Sequence, residues 1–435
     1  MSAPSRSPLS VFDLTLFNFA AIAGIRWLAS AAHAGPGTVV LWMLAALLFF
    51  IPSARAVSRL THVYPQSEGF YEWVESACGP WHGFVCLFFY WINMLLYLPS
   101  LLLTGLSIVL LMSGGQWTSR AENKPLLVGA TVVLLILLMF VKMLPAGFAK
   151  WAENLGSISS YLIWTLLVAG ALMAYLRHGT MTVFQLTPSL DIAMLNYWSQ
   201  LVFAFGGIEL ASVMTSQVTD PARTVTKATW FSGGATALFY ITGTAALLVL
   251  MTPQQVSILS GLGQGAALAA SELGLSWVVG TLALLVLVGI LGQASAWLLA
   301  GGRLLTALVI RTRYQRGLSL NQSLLIQTAG CIVFLLLLQA GDAIAAGYQA
   351  LVDMTVITYF IPYLYLFWAA WRQGERLSAT AGGGITVFGL GLSFLPTADV
   401  HAVWLFETKL IGGTLALLWL AWYLFRKQAP DGNCA

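Results

Sequence analysis

Charged residues are scarce in this 435-residue chain, which argues against a water-soluble surface. Asp, Glu, Lys and Arg make up 8% of the residues, whereas a soluble domain has about 25%. Hydrophobic residues make up 59%, and the mean hydropathy is +0.83. These values predict an integral membrane protein, most of whose surface faces the lipid bilayer.

Several chemical motifs are also missing. The four cysteines, Cys78, Cys86, Cys331 and Cys434, have no CxxC spacing, so we expect no disulfide and no metal site. The sequence has no HExxH, nucleophile elbow, P-loop or metal cluster, so an enzyme is the least favoured class and no cofactor is expected. No basic run typical of nucleic-acid binding is present.

Apolar runs of about 20 residues recur along the chain, and each is long enough to cross a bilayer as a helix. Residues 12–34 lack the charged start and cleavage site of a signal peptide, so we expect a retained first span. We predict twelve spans, at about 12–34, 38–60, 82–113, 126–144, 155–176, 192–218, 226–251, 276–311, 320–339, 342–371, 382–397 and 402–426.

The basic residues are distributed unevenly across these twelve spans. If the N-terminus is cytoplasmic, only Arg120, Lys124 and Arg177 fall in outer loops, and Arg26 and Lys409 lie in or near spans. The other Lys and Arg residues fall on the inner side. This asymmetry predicts a multi-pass protein of the inner (plasma) membrane with both termini in the cytoplasm.

Residues 62–80 are too polar to cross the membrane. Tyr71, Val74 and Cys78 fall on one helical face, with two glutamates turned elsewhere, which predicts a short helix in the cytoplasmic interface. No long linker remains, so we predict a single transport domain over residues 1–435.

Spans one and six occupy the same place in two consecutive five-helix blocks, residues 12–176 and 192–371. Span one contains Ala23-Gly24-Ile25-Arg26 and span six contains Phe205-Gly206-Gly207-Ile208-Glu209. Matching interruptions in two halves are typical of transporters with inverted repeats. The alternative for each glycine alone is close packing between membrane helices.

Unwinding a helix inside a membrane frees backbone groups that must find partners. Freed N–H groups at the positive end of a half-helix suit a carboxylate, and freed carbonyls suit an ammonium group. The two interruptions together therefore predict a site for the charged groups of an amino acid.

Arg26 and Glu209 are the ionisable residues of these interruptions. An arginine at the bilayer centre costs about 2.5 to 3.5 kcal/mol, so Arg26 needs a partner or water. It binds either an anionic group of the substrate or Glu209, in a salt bridge between the two broken helices. Glu209 in turn is either a proton carrier or a structural acceptor for helix N–H groups or Arg26.

Polar and aromatic residues on other spans are further candidates for the cavity lining. Gln293 and Trp297 are four residues apart, hence on one face of span eight, and we predict that this face lines the cavity. The remaining candidates are Tyr90, Asn93 and Tyr97 on span three and Tyr359 on span ten. For each of them alone, a place in the core or against lipid is the alternative.

Two segments resemble the amino acid–polyamine–organocation superfamily. The run Phe203-Ala204-Phe205-Gly206-Gly207-Ile208-Glu209, followed by Gln217 to Arg223, is similar to its sixth-helix signature, and Tyr64-Pro65 to Gly83-Phe84 is similar to its loop between helices two and three. Within the superfamily, Ile25-Arg26, Trp73-Val74, and Ala296-Trp297 with Arg303 resemble bacterial glutamate/γ-aminobutyrate antiporters.

The resemblance implies an all-α, LeuT-type five-plus-five inverted repeat with two additional C-terminal helices (about 382–426) and alternating access. It implies substrate contacts from helices one, three, six, eight and ten. In this sequence the two broken-helix turns that carry over are Ala23, Gly24, Ile25, Arg26 and Phe205, Gly206, Gly207, Glu209, with Phe203 beside them.

This sequence departs from the family pattern at two points that bear on the substrate. Ala23-Gly24-Ile25 replaces the superfamily's G-S/A-G turn, and Gln293 stands where the antiporters have an acidic residue. No lysine lies within span five, where some proton-coupled relatives place a substitute for a sodium ion.

We therefore expect a secondary transporter for an amino acid or an amine derived from one, working as an exchanger or a proton-linked permease. Its expected partners are the small-molecule substrate and the bilayer, and it is expected to be a monomer or homodimer. The alternatives are a sodium-coupled symporter of another solute and a transporter-like sensor or accessory subunit without flux.

Overall fold

A computed structural model describes residues 10–67, 69–143, 147–184, 187, 192–210, 218–311, 317–341, 343–397 and 400–426. Gln217 and Cys434 lie outside these residues. The α-helices described are α1 (Val11–Ile22), α2 (Arg26–His33), α3 (Thr38–Ala45), α4 (Ile51–Val63), α5 (Phe70–Cys78), α6 (Pro80–Met112), α7 (Lys124–Met143), α8 (Gly147–His178), α9 (Ile192–Phe203), α10 (Pro221–Leu250), α11 (Gly261–Glu272), α12 (Val279–Ile310), α13 (Leu320–Gln339), α14 (Ile344–Arg372), α15 (Arg376–Leu392), α16 (Val403–Glu407) and α17 (Gly413–Arg426). Short π-helical segments join α3 to α4 and α16 to α17.

Among the described residues, nine helical stretches are long and apolar enough to cross a membrane. They are α3–α4, α6, α7, α8, α10, α12, α13, α14 and α16–α17. Each overlaps a predicted span, and the all-helical, multi-pass architecture is confirmed. Predicted spans one, six and eleven are not among the nine, because their helices have at most 17 described residues.

The predicted interruption of span one is confirmed. Helix α1 ends at Ile22 and α2 begins at Arg26. The N–H of Ala23 closes α1 by donating to the Phe19 carbonyl at 2.8 Å. At 12 and 8 residues, the two halves are about 18 and 12 Å long, so neither crosses the hydrocarbon core alone.

Span six is also interrupted where the sequence predicts. Helix α9 ends at Phe203, and residues 204–207 form turns. Gly207 has a φ of +106°, a left-handed conformation that favours glycine. The second half of span six cannot be followed, since residues 211–217 lie outside the described part of the chain.

Helices α6 and α14 form the centre of the bundle. In the most apolar 18-residue stretch of each helix, 78% of the residues of α6 and 83% of those of α14 are buried inside the protein. The corresponding fractions are 28% in α7 and 17% in α16–α17. The halves α1 and α2 pack against α10, and α12 packs against both α6 and α8. Residues 24–26 of the interruption line one cavity together with residues of α6, α8 and α12.

Two short helices complete the fold. The predicted helix α5 is present, but its buried residues are Phe70, Trp73 and Val74, while Tyr71 and Cys78 are half-buried. This difference arises because α5 packs against both α6 and α14 and so needs a wider apolar face. Helix α11 was not predicted, since its Gly- and Ala-rich sequence reads as a loop between spans seven and eight.

Candidate functional site

Arg26 begins α2, directly after the interruption of span one. It is 3% exposed, and its guanidinium carbon lies 4.1 Å from the ring centroid of Trp27 and 4.5 Å from that of Tyr97. Nη1 donates to the Ser100 hydroxyl at 2.7 Å. Nε and Nη2 have no hydrogen-bond partner among the described residues. The rings stabilise the cation, but two buried donors stay available for an anion.

A cavity of about 20 Å³ lies beside Arg26. It lies between the interruption of span one and helices α6, α8 and α12, and its lining includes Gly24, Ile25, Arg26, Tyr97, Thr104 and Gln293. The first-helix turn and Gln293, which were predicted separately, thus line the same cavity. The volume suits about one water molecule, so this conformation is closed around the site.

Glu209, at the interruption of span six, is fully buried in a cluster of tyrosines. Its Oε1 accepts hydrogen bonds from the hydroxyls of Tyr90 at 3.1 Å and Tyr359 at 2.6 Å. Its Oε2 accepts from the Tyr363 hydroxyl and from the Gly207 N–H at 3.0 Å. Four donors therefore bond to the Glu209 carboxyl group. This arrangement matches the alternative in which Glu209 is a structural hydrogen-bond acceptor. Proton coupling through Glu209 stays a prediction.

An aromatic row connects the two interruptions. Trp27, stacked under Arg26, contacts Phe203 with ring centroids 5.3 Å apart, and Phe203 contacts Tyr359 at 5.0 Å. Tyr359 then donates to Glu209. Among the described residues, no ion pair joins Arg26 to Glu209, so the salt-bridge alternative is not realised in this conformation.

Tyr240 on α10 satisfies backbone groups that both interruptions free. Its hydroxyl lies 2.8 Å from the Ile22 carbonyl and 3.0 Å from the Ala204 carbonyl, and it accepts from the Gly24 N–H at 3.2 Å. One side chain thus joins the broken segments of spans one and six. Sequence reasoning missed it, because a tyrosine within span seven looks the same as a core tyrosine.

The glycines at the interruptions are closely surrounded. A Cβ on Gly24 would lie 2.7 Å from the Trp27 ring, and one on Gly206 would overlap the Tyr359 ring. Because these glycines have no side chain, the aromatic row can lie against the turns.

Of the thirteen predicted site residues, Gly24, Ile25, Arg26 and Gln293 line the cavity and the other nine do not. Asn93, Trp297 and Phe205 are three of those nine. The Asn93 amide donates to a backbone carbonyl of α14 at 2.7 Å. Trp297 packs behind the wall against Tyr97, with ring centroids 5.4 Å apart. Phe205 belongs to a buried aromatic cluster with Tyr240, at 5.6 Å. None of the three lines the cavity.

A profile of the amino acid permease family matches residues 9–395, which is most of the sequence. The chain belongs to this family. The resemblance to the amino acid–polyamine–organocation superfamily is thereby confirmed, and the permease is a multi-pass membrane transporter of the amino acid and amine class.

Individual relatives agree with this assignment. The permease is 26% identical to an uncharacterized transporter of Legionella pneumophila, over 99% of each chain. It is 23% identical to a probable agmatine/putrescine antiporter of Lactococcus lactis, over 62% of this chain and 57% of the relative. A glutamate/γ-aminobutyrate antiporter of Lactococcus lactis is 21% identical, over 82% of this chain and 78% of the relative.

The permease also contains a buried acidic residue that sequence reasoning missed. Asp353 on α14 is fully buried beside Gln349, and their neighbours on α9 are Asn196 and Gln200. A signal was available, because an acidic residue within an apolar span marks a functional site by default.

Proposed function

We propose that the permease is a secondary transporter of solutes that carry a carboxylate group, either amino acids or amines that keep a carboxylate. It works by alternating access, as an exchanger or a proton-linked permease. Family membership and the antiporters among its relatives support this proposal. The interruptions of spans one and six support it further, since broken helices form midplane binding sites in transporters.

The buried, incompletely paired guanidinium of Arg26 is the observation that carries the proposal. Nε and Nη2, its two unpartnered nitrogens, lie on one edge of the planar group. Two parallel donors on one edge match the two oxygens of a carboxylate. The remaining nitrogen, Nη1, is held by Ser100, so the orientation of the fork is fixed before a ligand arrives.

The start of α2 adds a helix dipole at the same place. Ile25 caps the helix without a side-chain hydrogen bond, and Gly24, Ile25 and Arg26 all line the cavity. The N–H groups of Trp27 and Leu28 donate to the carbonyls of Gly24 and Ile25. The positive end of the helix dipole lies at this start and favours an anion next to Arg26.

The same charge argues against polyamines without a carboxylate. A second cation brought close to Arg26 would be repelled, because no carboxylate side chain lines the cavity among the described residues. We therefore propose that glutamate or γ-aminobutyrate, each of which carries a carboxylate, fits this site better than putrescine or agmatine.

The small volume of the cavity supports a conformational cycle. A space of about 20 Å³ is too small for an amino acid, so substrate entry requires the walls to separate. The aromatic row of Trp27, Phe203 and Tyr359 connects the broken segments to α14. We propose that opening the site to either side separates these contacts.

We further propose twelve spans with a five-plus-five inverted repeat, in the inner membrane, with both termini cytoplasmic. Contacts between loops support the assignment of sides. Arg311 pairs with Glu75 at 3.1 Å, and both belong to predicted inner segments. Arg177 pairs with Glu272 at 3.6 Å, and both belong to predicted outer segments.

Counterflow in proteoliposomes tests the proposed function. Vesicles containing the purified permease are loaded with unlabelled glutamate or γ-aminobutyrate, and uptake of the labelled compound is followed with and without sodium. We expect saturable uptake that needs internal substrate or a proton gradient, and none in protein-free vesicles. Binding without flux would indicate a sensor, and a strict sodium requirement would indicate a sodium symporter.

A further inference from the structure

A network of amide side chains surrounds Asp353 in the middle of the bundle. Asn196 donates its amide N–H groups to the carbonyls of Leu392 and Leu395, at 3.4 and 2.8 Å. Leu392 is the last residue of α15, and Leu395 follows three residues later. Since carbonyls only accept hydrogen bonds, the Asn196 amide nitrogen must face them, and its oxygen must face the other way.

This orientation fixes the rest of the network. The Asn196 oxygen accepts from the amides of Gln200 at 3.1 Å and Gln349 at 3.0 Å. The same Gln349 nitrogen donates to Oδ2 of Asp353 at 2.9 Å. The other carboxyl oxygen, Oδ1, and the Gln349 amide oxygen have no hydrogen-bond partner among the described residues.

Among the described residues, no ion pair involves Asp353. Lys409, on the π-helical segment that packs against α14, donates to the carbonyls of Leu338 and Ala340. The neighbours of Asp353 from α9 are uncharged amides, and α6 reaches this part of α14 through Asn93 and Thr104, which are also uncharged. Along α14 the titratable residues nearest in sequence are Tyr348 and Tyr359; the Tyr348 hydroxyl accepts from Thr104 at 3.0 Å, and that of Tyr359 donates to Glu209. An ionised carboxyl with one donor and no ion pair is costly inside a membrane.

We propose that Asp353 is a proton-binding site of the permease, and that its protonation couples substrate movement to a proton gradient. This inference rests on the proposed transport function. The proton binds Oδ1, the free carboxyl oxygen, from the aqueous space on one side of the membrane. It leaves to the other side after the helices have rearranged. Only one O–H bond forms and breaks in this cycle.

The two buried carboxyl groups differ in their hydrogen bonds. Glu209 accepts from three tyrosine hydroxyls and one backbone N–H, whereas Asp353 accepts from one amide. Hydrogen bonds to the charged form favour ionisation. The geometry therefore assigns the exchangeable proton to Asp353, the carboxyl group with the fewer hydrogen-bond donors.

The network also provides a connection to the transport cycle. Asn196 and Gln200 belong to α9, the first half of broken span six. A movement of α9 relative to α14 would remove the Asn196 oxygen from Gln349 and free that amide to turn. The environment of Asp353 would then differ between the two sides of the cycle, as proton coupling requires.

Infrared difference spectroscopy tests the proton site without a substrate. The purified permease in lipid nanodiscs is taken through a pH change, and the C=O stretching band of protonated buried carboxyl groups is recorded. We expect a pH-dependent band that is lost in Asp353→Asn and kept in Glu209→Gln. A band that persists in Asp353→Asn, or that disappears in Glu209→Gln instead, would overturn the proposal.

Flux measurements test the coupling. The test uses proteoliposomes with labelled glutamate or γ-aminobutyrate. We expect the accumulation driven by a proton gradient to be at least tenfold lower in Asp353→Asn than in the wild type, while exchange without a gradient continues. Glu272→Gln, outside the transport site, is the matched control and should accumulate as the wild type does. Accumulation that follows a sodium gradient and is lost in Asp353→Asn would overturn the proposal, because the two free oxygens would then serve a sodium ion.

The two experiments fail independently. If neither compound is moved by the wild type, the proposed substrate is wrong, and the infrared band still decides whether Asp353 takes up a proton. If the wild type exchanges substrate but Asp353→Asn keeps its proton-driven accumulation, the coupling proposal fails and the proposed transport function stands.

Discussion

Arg26 and Glu209 follow the two interruptions, yet their hydrogen-bond environments are opposite. Glu209 has four donors within reach, so its charge is satisfied by the protein. Arg26 has one acceptor and two ring faces, and two of its nitrogens have no partner. The unpaired charge of the site is therefore positive. An anionic group of the ligand would neutralise this charge and accept hydrogen bonds from the two unpartnered nitrogens.

Replacing Arg26 with lysine keeps the charge but removes the planar fork. We expect substrate binding to weaken by about 1.5 to 3 kcal/mol, the strength of a hydrogen bond to a charged group. This loss corresponds to a rise of about tenfold to a hundredfold in the half-saturating substrate concentration. The measurement is the concentration dependence of exchange in proteoliposomes.

Arg177→Lys is the matched control, because Arg177 lies outside the cavity and pairs with Glu272. It should leave the concentration dependence unchanged. An Arg26→Lys permease with wild-type affinity would show that the substrate does not contact the guanidinium.

Tyr240→Phe removes the hydroxyl that serves both interruptions. The N–H of Gly24 would lose its acceptor, and the carbonyls of Ile22 and Ala204 would lose the single O–H that they share. An unsatisfied buried polar group costs about 1 to 3 kcal/mol, so we expect a lower free energy of unfolding and a lower melting temperature in detergent. Tyr161→Phe, which keeps its ring stack on Phe19, should melt close to the wild type.

The sequence revealed some of these residues better than others. Arg26 and Gln293 were predictable, because an ionisable residue or an amide inside an apolar span is costly unless it has a use. Tyr240 was not predictable, since tyrosine is common in membrane helices for several reasons. Its contacts depend on the packing of α10 against both interruptions, which a single sequence does not reveal.

At the scale of the helices, the interruptions matter because they bring turns into the interior. Gly206 lies against the ring of Tyr359, and that ring's hydroxyl donates to Glu209. A glycine at this point lets the turn of span six and α14 come close enough for the hydrogen bond to form. The backbone and the side-chain cluster therefore depend on each other.

Gly206→Ala tests this dependence. The new methyl group would overlap the Tyr359 ring and lie 2.9 Å from the Phe203 carbonyl. Overpacking of a core costs about 1 to 3 kcal/mol, so we expect lower thermal stability and a loss of exchange activity. Both are measured on the purified, reconstituted permease.

The matched control is Gly234→Ala in α10, where an added Cβ meets nothing within 4 Å. That substitution should leave exchange unchanged and stability equal or slightly higher, because alanine favours helix. Equal losses in both variants would show that the close approach at Gly206 is not what matters.

The helices themselves were largely predictable, for a physical reason. A helix that crosses a bilayer must be apolar over about 20 residues, so hydropathy located the nine membrane-length stretches. Helix α11 escaped this criterion, since it has 12 residues and lies between spans. The buried face of α5 also escaped, because it is set by two neighbouring helices that its own periodicity does not identify.

At the scale of the whole molecule, the twelve-span topology makes a prediction about sides. Arg120→Cys, in a predicted outer loop, should react with a membrane-impermeant maleimide applied to intact cells, and Arg223→Cys should react only after the cells are opened. Both variants are made in a background without native cysteines. Labelling of Arg223→Cys from outside would reverse the proposed orientation.

A background that keeps Cys78 would serve as a second reference. Burial raises the pKa of the Cys78 thiol, although Arg372 opposes the shift. The thiolate is the reactive form, so this thiol should react slowly below its raised pKa and faster as the pH increases towards it. Cys78 should therefore contribute little background at neutral pH.

The central claim is that the interruption of span one presents an unpaired cation to a carboxylate of the substrate. The most direct measurement is the thermal stabilisation of the purified permease by matched pairs of compounds, an amino acid and its decarboxylated amine, because a ligand that binds the folded state raises its stability. We predict that among pairs such as ornithine and putrescine, or arginine and agmatine, any stabilisation comes from the carboxylate-bearing member, and that Arg26→Lys abolishes it. Stabilisation by the amines that equals or exceeds that by their parent amino acids, and that survives Arg26→Lys, would contradict the claim.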